Sequence, residues 1–226
     1  MAWSSPLDSD VEASEGLAGL VEFGLEEMEA SFSDDAGAVV RVRVVGYPRD
    51  AGQVVACTGQ TLWRGGDALA AWCWRSRVRG RCLELGAGLG LCSLVAEECG
   101  ASVVATDGDE LALERLRKNT RDKRVEVRQL RWGEDGHIAD ILREFGTFDL
   151  LLGGDVLYDE RAVEPLVSTV AALLAPGGTF VFSFTHRGVD LEKMTTAARD
   201  AGFCFEVATP LPDCVLLFRR RRRTSS

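Results

Sequence analysis

From residue 81 onward the sequence alternates short apolar runs with amphipathic stretches of helical period, and few folds accommodate that alternation. "RCLEL" (81–85), "SVVATD" (102–107), "VEVRQLRW" (125–132), "FDLLLGGDVLY" (148–158) and "TFVFSF" (179–184) read as strands, each bounded by glycines, acidic residues or other turn formers. Between them, "LGLCSLVAEEC" (89–99), "DELALERLRKNT" (109–120), "HIADILREF" (137–145), "AVEPLVSTVAALLA" (162–175) and "DLEKMTTAARDAG" (190–202) read as helices, the fourth stopped by Pro176, Gly177 and Gly178. Strands separated by helices of this length pair in parallel through right-handed crossovers. The last two strands, "CFEVA" and "CVLLFRR", are separated only by "TPLPD" (209–213), too short for a crossover, so they pair antiparallel. The expected fold is therefore α/β, a Rossmann-like doubly wound seven-stranded sheet with one antiparallel strand.

Ahead of that core, "AVVRVRVVGYP" (38–48) alternates apolar and basic residues in strand fashion, and "QVVACTG" (53–59) follows the "PRDAG" turn. The two predict an N-terminal β-hairpin, followed by a helix over "GGDALAAWCWRSR" (65–77) with Asp67 as a candidate cap. The organisation expected is an acidic, partly disordered leader over 1–37, the hairpin and helix over 38–80, the core over 81–220 and a basic tail over 221–226. With 226 residues, 46% of them hydrophobic, one core is expected. A net charge of −9 argues against a nucleic-acid partner, since phosphates need a basic face. The exception is the run of five arginines at 219–223, which reads as a solvated end or a handle for an acidic partner.

Seven cysteines at positions 57, 73, 82, 92, 99, 204 and 214 include no CxxC pair and have mostly apolar neighbours, which suits buried thiols in a reducing compartment. Two histidines without spaced cysteine or carboxylate partners give no metal-ligand set. The opening stretch lacks the basic flank and apolar core of a secretory signal, and no run approaches the ~18 apolar residues of a membrane span. The expectation is a monomer without a membrane partner, located in the cytoplasm with the nucleus as a second site.

In an open α/β sheet the ligand lies at the carboxyl ends of the strands where the winding reverses. Here those ends carry Glu84, Gly86, Gly88, Gly90 and Asp107. The spacing Gly86-x-Gly88-x-Gly90 places its third glycine one residue short of the dinucleotide fingerprint. Glu84 beside the turn would repel a pyrophosphate but would help a cation, and S-adenosylmethionine carries both a sulfonium and an ammonium. Asp107, nineteen residues beyond Gly88, stands where a carboxylate can accept from both ribose hydroxyls, or else caps the next helix alone or with Asp109. The acidic pair fits the methyl donor better than NAD.

The motifs "TGQTLW" (58–63), "LELGAGLGLCSLVA" (83–96), "VVATDGDE" (103–110), Asn119, "LRW" (130–132) and "GGDVLY" (153–158) together resemble the seven-β-strand, class I methyltransferases, and within them lysine methyltransferase family 16. The likeness covers residues 38 to 220. It implies that Trp63 and Trp132 contact S-adenosylmethionine, Trp132 on the adenine side, that Gly86, Ala87 and Gly88 lie under its methionine end, and that Asp107 holds the ribose. It further implies that Gly154 borders the cofactor, that Asp155 orients the incoming amine and that Tyr158 walls the channel. The competing readings are plain core for each tryptophan, a helix cap for Asp155 and packing for Tyr158. Trp72 and Trp74 read as core or interface only.

The resemblance thus implies methyl transfer to a lysine of a protein substrate. One departure stands out: after the 179–184 strand this chain has "SFTHRG", with Thr185, His186 and Arg187, where many relatives have a tyrosine-lysine type stretch. A protein histidine or a small-molecule amine therefore remains open as acceptor, as does a non-catalytic binding module.

Overall fold

Each central strand sends consecutive side chains to opposite sides of the sheet, and here both sides are apolar, so the sheet must be covered twice. A computed structural model describes residues 24–48, 58–185, 189–210 and 214–221. The core strands are β3 (Arg81–Leu85), β4 (Ser102–Asp107), β5 (Val125–Gln129), β6 (Phe148–Gly154), β7 (Leu174–Phe184), β8 (Phe203–Thr209) and β9 (Cys214–Arg220). They form a seven-stranded sheet in the order β5-β4-β3-β6-β7-β9-β8, in which β9 alone runs against its neighbours. This is the expected doubly wound sheet with one reversed strand.

The alternation is visible residue by residue. Leu151 of β6 and Phe180, Phe182 and Phe184 of β7 enter one core, while Leu150, Leu152 and Val181 enter the other. The first core is covered by α4 (Asp135–Phe145), α5 (Val163–Leu173) and α6 (Leu191–Asp200). The second is covered by α1 (Arg64–Ser76) and α2 (Leu91–Cys99), together with the hairpin. Helix α3 (Glu110–Thr120) adds Leu113 and Leu116 over Ala87 and Ala105.

Several boundaries move for identifiable reasons. The strand expected over 148–158 stops at Gly154, because Asp155 takes φ 56 and leaves the extended conformation. The strand expected over 125–132 stops at Gln129, which puts Trp132 in the following turn. Helix α5 ends at Leu173, and β7 begins at once, absorbing Pro176 through an irregular pairing between Phe148 and Leu150.

The hairpin needs correction. It is formed by β1 (Glu26–Ser33) and β2 (Val39–Gly46), in antiparallel register from Glu26↔Gly46 to Ser33↔Val39. The partner of β2 therefore precedes it, inside the stretch assigned to a leader. Thr58–Gln60 forms a short 3₁₀ turn, and 53–57 lie outside the described residues. The acidic composition hid the strand: Glu27 and Glu29 occupy alternate outward positions and pair with Arg41 and Arg43, while Ala30 faces in. Asp34 Oδ1 accepts from the N–H groups of Ala36 (3.1 Å) and Ala38 (2.8 Å), closing the connection.

The hairpin is then pinned to the core. Trp74 Nε1 donates to Ala38 O (2.9 Å), Val40, Val42 and Val44 are buried, and Asn119 Oδ1 accepts from Val45 N (2.9 Å). The Asn119 amide also donates to Val45 O and Leu89 O, so one side chain ties β2 to the turn before α2.

Candidate active site

Beyond Leu85 the chain must turn sharply from β3 into α2, and Gly86 does so at φ 66. A Cβ at Gly86 would stand 2.9 Å from Val156 Cγ1 and 3.2 Å from Trp132 Cζ2, so the bare backbone lets both side chains close on the turn. Ala87 is buried, its N–H donating to Thr106 O at 2.8 Å. Gly88 N donates to Asp107 Oδ2 at 2.9 Å, which locks the turn to the end of β4. Gly59 comes close as well: its carbonyl oxygen would stand 3.0 Å from a Cβ on Gly88.

Asp107 is not the cap of α3. That role belongs to Asp109, whose carboxylate accepts from Ala112 N at 2.8 Å. The Asp107 carboxylate instead takes Asp109 N on Oδ1 (3.0 Å) and Gly88 N on Oδ2. Burial pushes its pKa up, and those same N–H groups oppose the shift. A carboxylate with four lone-pair sites can still accept from a diol at this position.

Glu84 lies beneath the turn, only 2% exposed. Helix α2 starts at a glycine with no side chain to cap it, and Glu84 Oε2 fills that need by accepting from Ser93 N (2.8 Å) and Ser93 Oγ (2.5 Å). Burial raises its pKa to about 7, against the lowering effect of those hydrogen bonds.

At the end of β6, Gly154 faces Gly66: a Cβ there would meet Gly66 Cα at 3.2 Å and Cys92 Sγ at 3.5 Å. Asp155 is 6% exposed. Its Oδ2 accepts from Gly65 N at the start of α1 (3.4 Å), and its Oδ1 accepts from Thr185 N (3.3 Å) and Thr185 Oγ1. It therefore caps α1, ninety residues earlier in the chain, rather than the helix that follows it, where Asp159 accepts from Arg161 N instead. Asp67 is not at the N-cap position; it sits in the first turn of α1, whose N-cap position is Trp63, half-buried. Tyr158 is 61% exposed, just beyond this knot.

The structure thus brings Gly86, Ala87, Gly88, Asp107 and Trp132 into one cluster, with Gly154, Asp155 and the start of α1 around the neighbouring strand end. Ser93, Thr185, Gly65 and Gly66 share these contacts, although the sequence singled out none of them for a role; adjacent glycines at a helix start were the available signal. His186 and Arg187, residues 1–23 and the arginines after Arg221 lie outside the described residues. His137 sits in the first turn of α4, where Nδ1 accepts from Arg131 N. Trp74 is buried, and Cys73, Cys82 and Cys92 are buried thiols whose pKa values burial pushes well up.

A family model described as lysine methyltransferase matches residues 52–200, a span that holds the glycine turn, Asp107, Trp132 and Asp155. The chain belongs to the lysine methyltransferase family. Among relatives of this family member, protein N-lysine methyltransferase METTL21A of Xenopus tropicalis is 41% identical over 108 residues, covering 45% of this chain and 47% of the relative. Histone-arginine methyltransferase METTL23 of Xenopus laevis is 31% identical over 142 residues, covering 58% and 59%. The chain spans about half the length of the curated relatives it matches. The fold is shared with a magnesium protoporphyrin IX methyltransferase from Synechocystis PCC 6803 solved with bound SAM, at a TM-score of 0.56 and 16% identity over 76% of this chain and 95% of the other.

Proposed function

We propose that this family member transfers a methyl group from S-adenosylmethionine to a lysine side chain of a protein. The observation that carries the reading is the convergence of three strand ends: the Gly86–Gly88 turn of β3 is hydrogen-bonded to Asp107 of β4, and Gly154–Asp155 of β6 stands beside β3. The residues fit the donor. Asp107 offers a carboxylate to a ribose, Gly86 lets Trp132 close on the turn, Trp132 gives adenine an aromatic face, and the buried carboxylate of Glu84 disfavours a pyrophosphate.

Bound there, S-adenosylmethionine supplies a methyl group on a cationic sulfonium, open to in-line displacement. The chain's own part is alignment and exclusion of water. In this reading Gly86, Ala87 and Gly88 lie under the methionine end, Asp107 holds the ribose, and Trp63 and Gly154 border the cofactor where α1 meets β6. Lysine has an ordinary pKa near ~10.4 and must lose a proton before it can attack. Asp155, buried and fixed, accepts a hydrogen bond from the acceptor nitrogen and directs its lone pair. Tyr158, exposed at the rim, offers a ring face to the incoming cationic side chain. The net charge of −9 suits a basic protein target. The six described cysteines are all free, which suits a reducing compartment such as the cytoplasm.

A second reading rests on the likeness to METTL23, a histone-arginine methyltransferase, whose alignment is longer than that to METTL21A; it makes the acceptor an arginine. Isotopic methyl transfer into a hypomethylated cell extract, wild type beside Asp155→Asn, separates them after hydrolysis to amino acids. Methyl-lysine from wild type alone is the expected result. Methyl-arginine would move the assignment to the second reading, and label confined to methyl-histidine or low-mass material would defeat both.

A further inference from the structure

The side-chain amide of Asn119, in the last turn of α3, bonds to two segments far from it in sequence. Its Oδ1 accepts from Val45 N (2.9 Å), and its Nδ2 donates to Val45 O (3.3 Å) and to Leu89 O (3.0 Å). Towards Val45 it behaves as a neighbouring strand would, taking one N–H and returning one to the same residue. Towards Leu89 it holds a carbonyl inside the glycine turn, one residue after Gly88, whose N–H is held by Asp107. The position needs donors and an acceptor together on a short stem, which asparagine supplies; aspartate cannot donate.

The hairpin side of this grip leads straight to the site. Two residues beyond Val45, Tyr47 N donates to Gln60 O (2.8 Å), and Tyr47 bridges Thr61. Between them, Gly46 lies so close to the turn that a Cβ there would stand 2.4 Å from Leu89 Cδ1 and 2.8 Å from Gln60 O. The Thr58–Gln60 segment is thereby laid along the glycine turn. Gly59 O would stand 3.0 Å from a Cβ on Gly88, and a Cβ on Gly59 would stand 4.0 Å from Asp107 Oδ2, the oxygen that accepts from Gly88 N.

We propose that Asn119 is a positioning residue for cofactor binding: through Val45 and Leu89 it sets the Thr58–Gln60 segment against the Gly86–Gly90 turn, so that the cofactor meets a turn already fixed. The inference rests on the reading of that turn as the S-adenosylmethionine site. Glycine has more backbone freedom than any other residue, so a turn with three of them needs its arrangement imposed by its neighbours. Asp107 holds one end of the Gly88–Leu89 pair and Asn119 the other. A ligand that fits one arrangement binds more weakly in proportion to the time the turn spends elsewhere. A turn competent for a tenth of the time raises the apparent Kd about tenfold. Asn119 therefore acts on the readiness of the site and leaves the transfer step itself alone.

The test compares wild type with Asn119→Ala and with Asn119→Asp, which keeps the size and the acceptor but loses the donors. A control, Val167→Ala, weakens the core on the opposite face of the sheet. Three quantities are read: the calorimetric Kd for S-adenosylmethionine, the rate of methyl transfer into a hypomethylated extract at saturating S-adenosylmethionine, and hydrogen exchange at the Val45 amide. Both Asn119 variants are expected to raise the Kd about tenfold, keep the saturated rate within about twofold, and exchange Val45 several-fold faster. Val167→Ala is expected to lower the urea midpoint yet leave the Kd within about twofold. An unchanged Kd or unchanged Val45 exchange in the Asn119 variants, a loss of saturated rate in place of affinity, or an equal loss of affinity in Val167→Ala would each overturn the proposal. If wild type itself binds no S-adenosylmethionine, the cofactor reading fails; equal binding by wild type and the Asn119 variants defeats only the role of Asn119.

Discussion

Burying Glu84 under the glycine turn makes its charged form costly, and the Ser93 donors recover only part of that cost, which leaves its pKa at about 7 against an ordinary 4.5. The folded state therefore binds the proton more tightly than the unfolded chain. The resulting stabilisation is complete below pH 4.5 and is lost as pH rises through about 7. Glu84→Gln keeps an acceptor for Ser93 and removes the titration. Urea denaturation of both proteins from about pH 4.5 to 8 should show wild type losing roughly 3 kcal/mol relative to the variant. Parallel profiles would mean that Glu84 is not desolvated as described. The presence of a carboxylate at position 84 was legible in the motif, whereas its partner Ser93 was not, because a cap supplied from a neighbouring strand leaves no local spacing rule to read.

At the scale of elements, α1 is held by backbone proximity to β6. A Cβ on Gly65 would stand 2.5 Å from Asp155 Cβ and 2.8 Å from its Cγ, while a Cβ on Gly66 would meet nothing within 4 Å. Gly65→Ala should therefore destabilise by about 1–3 kcal/mol through overpacking. Gly66→Ala should be neutral or gain about 0.5–1 kcal/mol from the entropy that glycine loses in a helix. Thermal unfolding of the two variants reads the contrast, and equal effects would refute the close approach. Helix α1 and strand β2 were visible in their periodicity. The partner of β2 was not, because Met28, Ala30 and Phe32 alternate with glutamates and serine, and a composition dominated by acid conceals that pattern until Arg41 and Arg43 stand opposite. Conversely, Asp67 lies inside the first turn of α1 rather than at its N-cap position, and the acceptor for Gly65 N comes from Asp155.

At the scale of the molecule, a ligand that binds only the folded state stabilises the whole sheet by mass action. S-adenosylmethionine at one hundred times its Kd should add about 2.7 kcal/mol to the unfolding free energy, seen as a rise in Tm. Asp107→Asn removes charge-assisted hydrogen bonds worth about 1.5–3 kcal/mol, so the same concentration should add only about 0.3–1.3 kcal/mol, a clearly smaller rise. An undiminished rise in the variant would take Asp107 out of the site.

The alternation of strand and helix by itself determined the parallel sheet, its reversed strand β9 and the glycine turn at the end of β3, because those follow from local periodicity and from connections too short for any other route. Tertiary structure alone decided what β2 pairs with, that Asp109 rather than Asp107 caps α3, and that Asp155 is gripped by Gly65 and Thr185, ninety and thirty residues away. Such contacts are set by which strand ends come together in space, and that depends on the packed sheet rather than on any local run of residues.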